Sequence, residues 1–342
     1  MKKQQICVIG AGVMGLSSAL HIQDVCPESD VTIIADKLSP NTTSDVSGGF
    51  WMPHLVGSTP PEKIRSWSQA TWDHMTALAH SKEASELGAC LVSGYLLSPV
   101  KLDLPLYWDQ VLGFRDVNQE EMAKFPGVKF GFFFTTVMIE VRCYLPWLMK
   151  RFKEKGGKVQ QRRISSLNEL SGQYDIVVNC PGVEARQLVG DKSVESVRGQ
   201  IIRVKAPWLK TFLMVTNKNP DFLDAYVFPG ARKVVLGGIE QVGDWDLHHR
   251  DVDREYLWKT CTTLLPCLQN SEIVKDWTGL RPVRTSVRLE VEYIPLDDRS
   301  MTVVHCYGHG GSGVTLHWGC AKEVADLVKR ELNQRRRNLS KL

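Results

Sequence analysis

Three glycines near the amino end constrain the fold of this chain more than any other feature. Gly10, Gly12 and Gly15 have the spacing G-x-G-x-x-G, follow an apolar run at residues 6–9 and lead directly into a helical pattern. In a strand–turn–helix unit, such glycines allow a tight turn, the close approach of a pyrophosphate and close packing of helix on strand. The free N–H groups and the positive dipole end of the helix then bind the pyrophosphate.

A second signal lies in the next strand of the pattern. Residues 31–35 are apolar and end at Asp36, about 20 residues after Gly15, where a carboxylate can accept hydrogen bonds from a ribose diol. The hydroxyls at residues 42–44 and the backbone at Gly48 and Gly49, which has no side chains, can form a second set of contacts to the phosphates and to the ring of a bound dinucleotide. The alternative is a helix cap followed by a flexible glycine pair. The motif predicts a dinucleotide site without distinguishing flavin from nicotinamide.

Composition excludes several other classes. The net charge of +4 is small and no run of Lys and Arg is interleaved with aromatics, so we expect no nucleic-acid partner. No apolar run approaches the ~18–20 residues that span a bilayer, and the chain enters a strand at once, so we expect neither a membrane span nor a signal peptide. The nine cysteines contain no C-x-x-C pair, which predicts reduced thiols and no metal site.

The later pattern predicts two interleaved domains. Residues 175–180 form a buried strand that ends near Gly182, and a strand, a glycine loop and a helix recur at 301–331. Because ligands bind beyond the carboxyl ends of parallel strands, we expect a discontinuous cofactor domain at 1–50, 140–197 and 295–342. Short strands separated by turns predict a mostly antiparallel substrate domain at 51–139 and 198–294. We expect helices at 62–87 and 319–331, and a lid at residues 212–226.

These segments together resemble the D-amino-acid oxidase family of FAD enzymes. The most specific matches are G-L-R-P-V-R at 279–284 and Y-G-H-G-G at 307–311, together with the glycine motif that ends at Gly15. The resemblance implies a Rossmann-type α/β domain for FAD and a substrate domain on an antiparallel sheet. The cofactor contacts that it implies are Gly10, Ala11, Gly12, Val13, Met14, Gly15, Asp36, Lys37, Thr42, Thr43, Ser44, Gly48, Gly49, Phe50, Ile164, Gly182, Arg281, Gly310, Gly311, Ser312, Gly313, Val314 and Thr315.

Members of the family oxidise a D-amino acid to an imino acid, which hydrolyses to a 2-oxo acid and ammonia, while oxygen becomes hydrogen peroxide. A hydride passes from the substrate Cα to flavin N5, so the protein orients the substrate more than it exchanges protons. The resemblance implies that Arg281 and Tyr226 bind the substrate carboxylate and that the Gly311 carbonyl faces its ammonium. Phe222 and Met52 then lie beside the substrate.

The substrate class depends on Glu240. In the acidic-substrate branch of the family, an arginine occupies the corresponding place in a G-G-x-R segment, whereas this chain has G-G-I-E at 237–240. A carboxylate there repels a second substrate carboxylate, so we expect neutral D-amino acids, with basic ones as further candidates. The alternatives are a D-aspartate oxidase, a flavin-binding protein without turnover and, more remotely, a nicotinamide dehydrogenase. We interpret His309 as a loop residue because hydride transfer needs no base.

The last three residues, Ser340, Lys341 and Leu342, form an S-K-L terminus, which an import receptor reads as a peroxisomal address. We therefore expect a peroxisomal enzyme, which agrees with a product that is hydrogen peroxide. The resemblance to the family also makes a homodimer a candidate assembly.

Overall fold

The computed structural model describes residues 3–216, 224–295 and 300–339. The strands in these ranges are β1 (Gln4–Ile9), β2 (Ser29–Ala35), β3 (Cys90–Ser98), β4 (Leu112–Asp116), β5 (Phe130–Met138), β6 (Lys158–Gln161), β7 (Ile176–Asn179), β8 (Glu195–Lys205), β9 (Thr211–Val215), β10 (Ala225–Pro229), β11 (Val234–Gly237), β12 (Gln241–Val242), β13 (Glu272–Pro295) and β14 (Ser300–His309). The helices are α1 (Val13–Val25), α2 (Thr43–Val46), α3 (Pro61–Ala79), α4 (Ala84–Leu87), α5 (Gln119–Met122), α6 (Val141–Glu154), α7 (Ala185–Leu188), α8 (Asp251–Leu264) and α9 (Gly313–Leu339). Short 3₁₀ turns occur at Leu167–Leu170, Gly182–Glu184, Pro266–Asn270 and Gly310–Ser312.

The strands join into one continuous sheet, of which one half is parallel and the other mostly antiparallel. Its order is β4-β5-β3-β9-β10-β11-β8-β13-β14-β7-β1-β2-β6, and β12 pairs with β8 off this path. The five strands from β14 to β6 are parallel, as expected for a Rossmann-type half. The other half is antiparallel except where β3 runs parallel to β9. The predicted fold class is confirmed.

The long strand β13 connects the two halves. Its first part pairs with β8 up to Val283, and its second part pairs with β14, with a register shift between Val283 and Arg288. Gly279 and Pro282 interrupt the apolar pattern of this strand in the sequence. The parallel strands all fall in the ranges predicted for the cofactor domain, but the domain bounds themselves stay a prediction because one sheet runs through both halves.

Two predicted helices need correction. The helix predicted at 62–87 ends at Ala79, where the Ser81 hydroxyl donates to the carbonyl of Leu78, and α4 is separate. The final helix begins at Gly313, six residues before the predicted start at Gly319. Gly319 lies inside α9, and a Cβ there would lie 2.4 Å from the Trp67 backbone, so this glycine allows α9 to cross α3 closely.

The predicted lid at 212–226 was too long at both ends. Residues Phe212, Leu213 and Met214 are buried in β9, which pairs with β3, and Ala225 begins β10. Only residues 216–224 connect the two strands, and Phe222 lies outside the described residues. The predicted lid started too early because a short buried strand beside a polar segment gives little periodicity.

The described helices include none that is both long and apolar enough to cross a bilayer. Within the same residues, no group of three or more His, Cys, Asp or Glu side chains is arranged to hold a metal ion.

Candidate functional site

A cavity of about 290 Å³ extends from the start of α1 to β13. It begins where β1 turns into α1 across the three glycines. Gly10 has φ of +98°, and a Cβ there would lie 2.3 Å from the Cys180 carbonyl oxygen, so only glycine fits this turn. The amino end of α1 faces the cavity, where its N–H groups and dipole favour an anion.

Most of the predicted site residues line this cavity. They are Gly10, Ala11, Gly12, Val13, Met14, Asp36, Lys37, Thr42, Thr43, Ser44, Gly48, Gly49, Phe50, Met52, Gly182, Tyr226, Glu240, Arg281, Gly310, Gly311, Gly313 and Val314. The Asp36 carboxylate makes no hydrogen bond with the described residues and is therefore available to a ribose diol.

Four predicted cofactor residues do not line the cavity. Gly15 packs on the backbone of Gly10, where a Cβ would lie 2.0 Å from the carbonyl oxygen. Ile164 packs beside Leu167 and Leu170 in a separate cluster. Ser312 and Thr315 turn their hydroxyls to the segment that carries Met52 and His54, as described below.

The hydroxyl-rich turn after β2 is held by a buried acid that the sequence analysis did not single out. Asp45 is fully buried and accepts hydrogen bonds from the hydroxyls of Thr42 (2.7 Å) and Ser39 (2.6 Å), and from the backbone N–H of Thr42 (3.0 Å). The Val13 N–H donates to the Ser44 hydroxyl at 3.1 Å. These bonds place the turn against the amino end of α1. The capping-box pattern of Thr42 and Asp45 was the signal available in the sequence.

Arg281 lies on β13 near the point where the strand passes between the two halves of the sheet. One of its nitrogens donates to the Ile239 carbonyl at 3.1 Å. No carboxylate of the described residues lies within 4.0 Å of its guanidinium, which therefore keeps donors for a ligand. Its neighbour in the motif, Arg284, is engaged differently: it donates to Asp191 at 2.8 Å.

Asp191 is the centre of a second polar group that the sequence analysis missed. It accepts from Arg284 and from the Tyr307 hydroxyl at 2.9 Å, and Arg288 donates to the same hydroxyl at 2.8 Å. Burial raises the pKa of Asp191, but hydrogen bonds from Ser193, Arg284 and Tyr307 outweigh burial and hold the pKa well below its ordinary value. The ionised carboxylate fixes the Tyr307 end of the glycine loop.

Tyr226 faces the same end of the cavity as Arg281. It pairs with Gly237 across β10 and β11, and its ring stacks on Phe228 with centroids 4.4 Å apart. Phe228 in turn stacks on Phe50 at 4.2 Å, which makes an aromatic wall along the cavity. Burial raises the pKa of the Tyr226 phenol, Arg281 lowers it and Glu240 raises it. The phenol therefore remains a hydrogen-bond donor at neutral pH.

Two histidines complete this end of the cavity. His54 lies 2.9 Å from Glu240 through its Nε2. His309 lines the cavity but is almost fully buried, and burial lowers its pKa to about 3, so it stays neutral. His309 is the last residue of β14 rather than a loop residue, and its lack of a role as a base stays a prediction.

The residues present fit FAD. The cavity offers amide donors at the start of α1, a free carboxylate at Asp36, a hydroxyl-rich turn and an aromatic wall that leads to Arg281. A sequence model of the family described as FAD-dependent oxidoreductase matches residues 5–327. The chain belongs to the D-amino-acid oxidase family of FAD-dependent oxidoreductases. FAD is therefore its cofactor.

Individual members of this family are similar to the chain over nearly its whole length. A D-aspartate oxidase of Homo sapiens is 43% identical over 330 residues, covering 96% of this chain and 95% of the relative. A D-amino-acid oxidase of Rubrobacter xylanophilus is 37% identical and covers 94% of each chain. Among solved structures, a glycine oxidase from Geobacillus kaustophilus has a TM-score of 0.76 at 18% identity, covering 96% and 95% of the two chains, and so shares the fold.

Proposed function

We propose that this protein catalyses the oxidative deamination of D-amino acids to 2-oxo acids, with release of ammonia and with oxygen reduced to hydrogen peroxide. The observation that carries the proposal is the Arg281 guanidinium, which has no carboxylate partner among the described residues and lies beside Tyr226 at one end of the FAD cavity. A planar guanidinium binds a carboxylate through two parallel hydrogen bonds and so fixes its plane.

Arg281 and the residues around it bind different groups of the substrate and so orient it. The guanidinium and the Tyr226 phenol hold the α-carboxylate, and the Gly311 carbonyl accepts from the α-amino group. Bound FAD supplies the acceptor of the two electrons. Holding the Cα–H in one direction is the main contribution of the protein, since orientation lowers the entropic part of the barrier. His309, with its low pKa, cannot serve as a protonated acid near neutral pH.

We propose that the preferred substrates are neutral D-amino acids, with basic ones also accepted. In the described part of the chain, the Lys and Arg side chains that line the cavity are Lys37 and Arg281, and Lys37 lies beside Asp36 at the end of β2. A substrate with a second carboxylate would thus meet Glu240 rather than a second cation. Repulsion between the buried Glu240 carboxylate and a second substrate carboxylate would discriminate strongly against acidic D-amino acids.

A D-aspartate oxidase is the second candidate, because the human relative with that name is 43% identical. A flavin-binding protein without turnover is a third and weaker candidate, since Arg281, which has no carboxylate partner among the described residues, and the neighbouring phenol of Tyr226 remain together.

Purified holoenzyme tests these candidates directly. We expect D-alanine and D-arginine, but not their L enantiomers, to release peroxide and to bleach the yellow flavin anaerobically. Arg281→Gln should lower kcat/KM at least about 100-fold, because a charge-assisted fork is lost. Arg65→Gln is the matched control, since Arg65 binds Asp109 on the surface. A clear preference for D-aspartate would establish the second candidate, and no bleaching with any D-amino acid would establish the third.

We also propose that the protein is peroxisomal and that an import receptor binds Ser340, Lys341 and Leu342, which lie outside the described residues. A fluorescent protein fused to the amino end should give punctate peroxisomal fluorescence. Deletion of the last three residues should make it diffuse, and unchanged puncta would contradict the proposal. A homodimer remains a candidate that sedimentation of the holoenzyme would test.

A further inference from the structure

The side chain of Glu240 is buried in the cavity wall with one oxygen unpaired. It is 6% exposed, and its Oε1 accepts from His54 Nε2 at 2.9 Å. Its Oε2 is also buried and has no hydrogen-bond partner among the described residues. A buried carboxylate oxygen without a donor is costly, and one that belongs to a cavity-lining residue is satisfied when a ligand brings a donor.

The backbone on both sides of Glu240 is fixed. The preceding residue, Ile239, accepts from Arg281. The following residue, Gln241, accepts from Arg198 at 2.7 Å and donates to Asp253 at 3.0 Å, in a buried polar network. Glu240 therefore cannot move far from the place where the structure has it, one residue from the contact with Arg281.

His54 is held from the opposite wall. The Ser312 hydroxyl accepts from the His54 N–H at 2.6 Å and donates to the His54 carbonyl at 2.7 Å. The ring lies against Gly311, where a Cβ would be 2.6 Å from its Cδ2. Since a carboxylate can only accept, His54 Nε2 donates to Glu240. The pair thus bridges the two walls, and it leaves Glu240 in the lining of the cavity with its second carboxylate oxygen unpaired among the described residues.

We infer that Glu240, positioned by His54, is a subsite for the cationic side chain of a basic D-amino acid. The inference rests on the proposed function for the placement of the α-carboxylate on Arg281. A guanidinium or ammonium on the substrate supplies the donor that Glu240 Oε2 lacks, and the charges of Arg281 and Glu240 then match the two ends of the substrate. The competing possibility is that Glu240 binds the α-ammonium instead.

The experiment compares D-arginine with D-norleucine, a neutral side chain of similar length, in the wild-type holoenzyme, Glu240→Gln and Glu255→Gln. Glu255 is exposed on α8 and is the control for loss of one negative charge. We expect Glu240→Gln to lower kcat/KM for D-arginine about 10- to 100-fold relative to D-norleucine, as expected for loss of one charge-assisted hydrogen bond. Glu255→Gln should leave the ratio unchanged.

A binding measurement without turnover makes the result independent of the proposed reaction. The probes are 4-guanidinobutanoate and pentanoate, which share the carboxylate and differ in the distal cation, titrated by the change in flavin absorbance. We expect wild type to bind the guanidino compound more tightly and Glu240→Gln to lose that difference. If no variant oxidises any D-amino acid but this difference is seen, the proposed function fails and the cation subsite stands.

Two results would overturn the inference. An equal loss of kcat/KM for D-arginine and D-norleucine in Glu240→Gln would place the Glu240 carboxylate at the substrate α-ammonium. An unchanged ratio, together with unchanged binding of both probes, would show that Glu240 contacts neither charge of the substrate. Flavin content and unfolding temperature, measured on each variant, exclude a misfolded protein as the cause of either result.

Discussion

The Arg281 guanidinium occupies the space above the α-carbon of Gly199, so that a Cβ built there would lie 2.5 Å from Nη1. Gly199 pairs with Gly279 across β8 and β13, and Arg281 is two residues further along, on the same face. We expect Gly199→Ala to displace the guanidinium and to weaken binding of a simple carboxylate about 10- to 100-fold, as measured by flavin titration.

The control for Gly199→Ala is Gly190→Ala. Gly190 has φ of +66° and open space where its Cβ would be, so alanine costs about 1 kcal/mol of backbone strain without touching the cavity. This control should lower the unfolding temperature and leave carboxylate binding intact. If Gly199→Ala bound the carboxylate as tightly as wild type, the position of Arg281 would not depend on Gly199.

Tyr226 should contribute as a neutral donor over the whole working range of pH. Tyr226→Phe removes the hydroxyl and keeps the ring on Phe228, so we expect kcat/KM to fall about 10-fold, as for one hydrogen bond. Because burial raises the phenol pKa, ionisation of Tyr226 should not shape the pH profile below 10. Wild type and variant should thus give profiles of the same shape up to that pH, and a basic limb present only in wild type would contradict this prediction.

Features that depend on local backbone were predictable from the sequence. The turn at Gly10 and the dipole end of α1 follow from glycine spacing after a strand, and G-L-R-P-V-R identified Arg281 by a resemblance to the family. The structure brings the start of α1 and Arg281 into one cavity. A local motif sufficed because each constraint acts within a few residues.

Contacts between distant segments were not predictable in the same way. Ser312 and His54 lie 258 residues apart in the chain, and Glu240 and His54 lie 186 apart, so no spacing rule connects them. The resemblance implies that Ser312 and Thr315 contact the cofactor, and the structure shows that their hydroxyls bond to the 52–54 segment. Gly279 and Pro282 break the apolar pattern of β13, and only its pairing with both β8 and β14 makes it one strand.

A buried chain of hydrogen bonds should make the fold sensitive to acid. His317 Nδ1 donates to the Val314 carbonyl at 2.7 Å, so its Nε2 accepts from the Tyr144 hydroxyl at 2.9 Å, and that oxygen accepts from His74 at 2.8 Å. Burial lowers the pKa of His317 to about 4. The unfolded chain therefore binds a proton between pH 6.5 and 4 that the folded chain does not.

The contribution of neutral His317 to the free energy of unfolding is therefore fully present above pH 6.5. It is lost as the pH drops towards 4, which lowers the free energy of unfolding by about 3 kcal/mol. Urea unfolding of the holoenzyme at pH 7, 6 and 5 should show this fall. His317→Gln should be less stable at pH 7 and have a flatter pH dependence. His248→Gln, a change at an exposed ring, should keep the wild-type slope, and an equally steep slope in His317→Gln would assign the proton to another group.

Thr315 fastens Met52 to the start of α9. Its buried hydroxyl accepts from the Met52 N–H at 3.2 Å and donates to the Met52 carbonyl at 2.9 Å. Valine has nearly the same shape but no hydroxyl, so Thr315→Val leaves two buried backbone groups without partners. We expect a loss of about 2 kcal/mol in the free energy of unfolding and faster proteolysis between residues 50 and 60 in the holoenzyme.

Thr263→Val is the matched control, because among the described residues the Thr263 hydroxyl bonds only to the Lys259 carbonyl, on an exposed turn of α8. It should change the free energy of unfolding by less than about 0.5 kcal/mol. Since Met52 and His54 share one segment, Thr315→Val should also weaken the preference for the cationic probe over pentanoate. A variant that lost stability but kept the full preference would show that Ser312 alone is enough to hold His54 against Glu240.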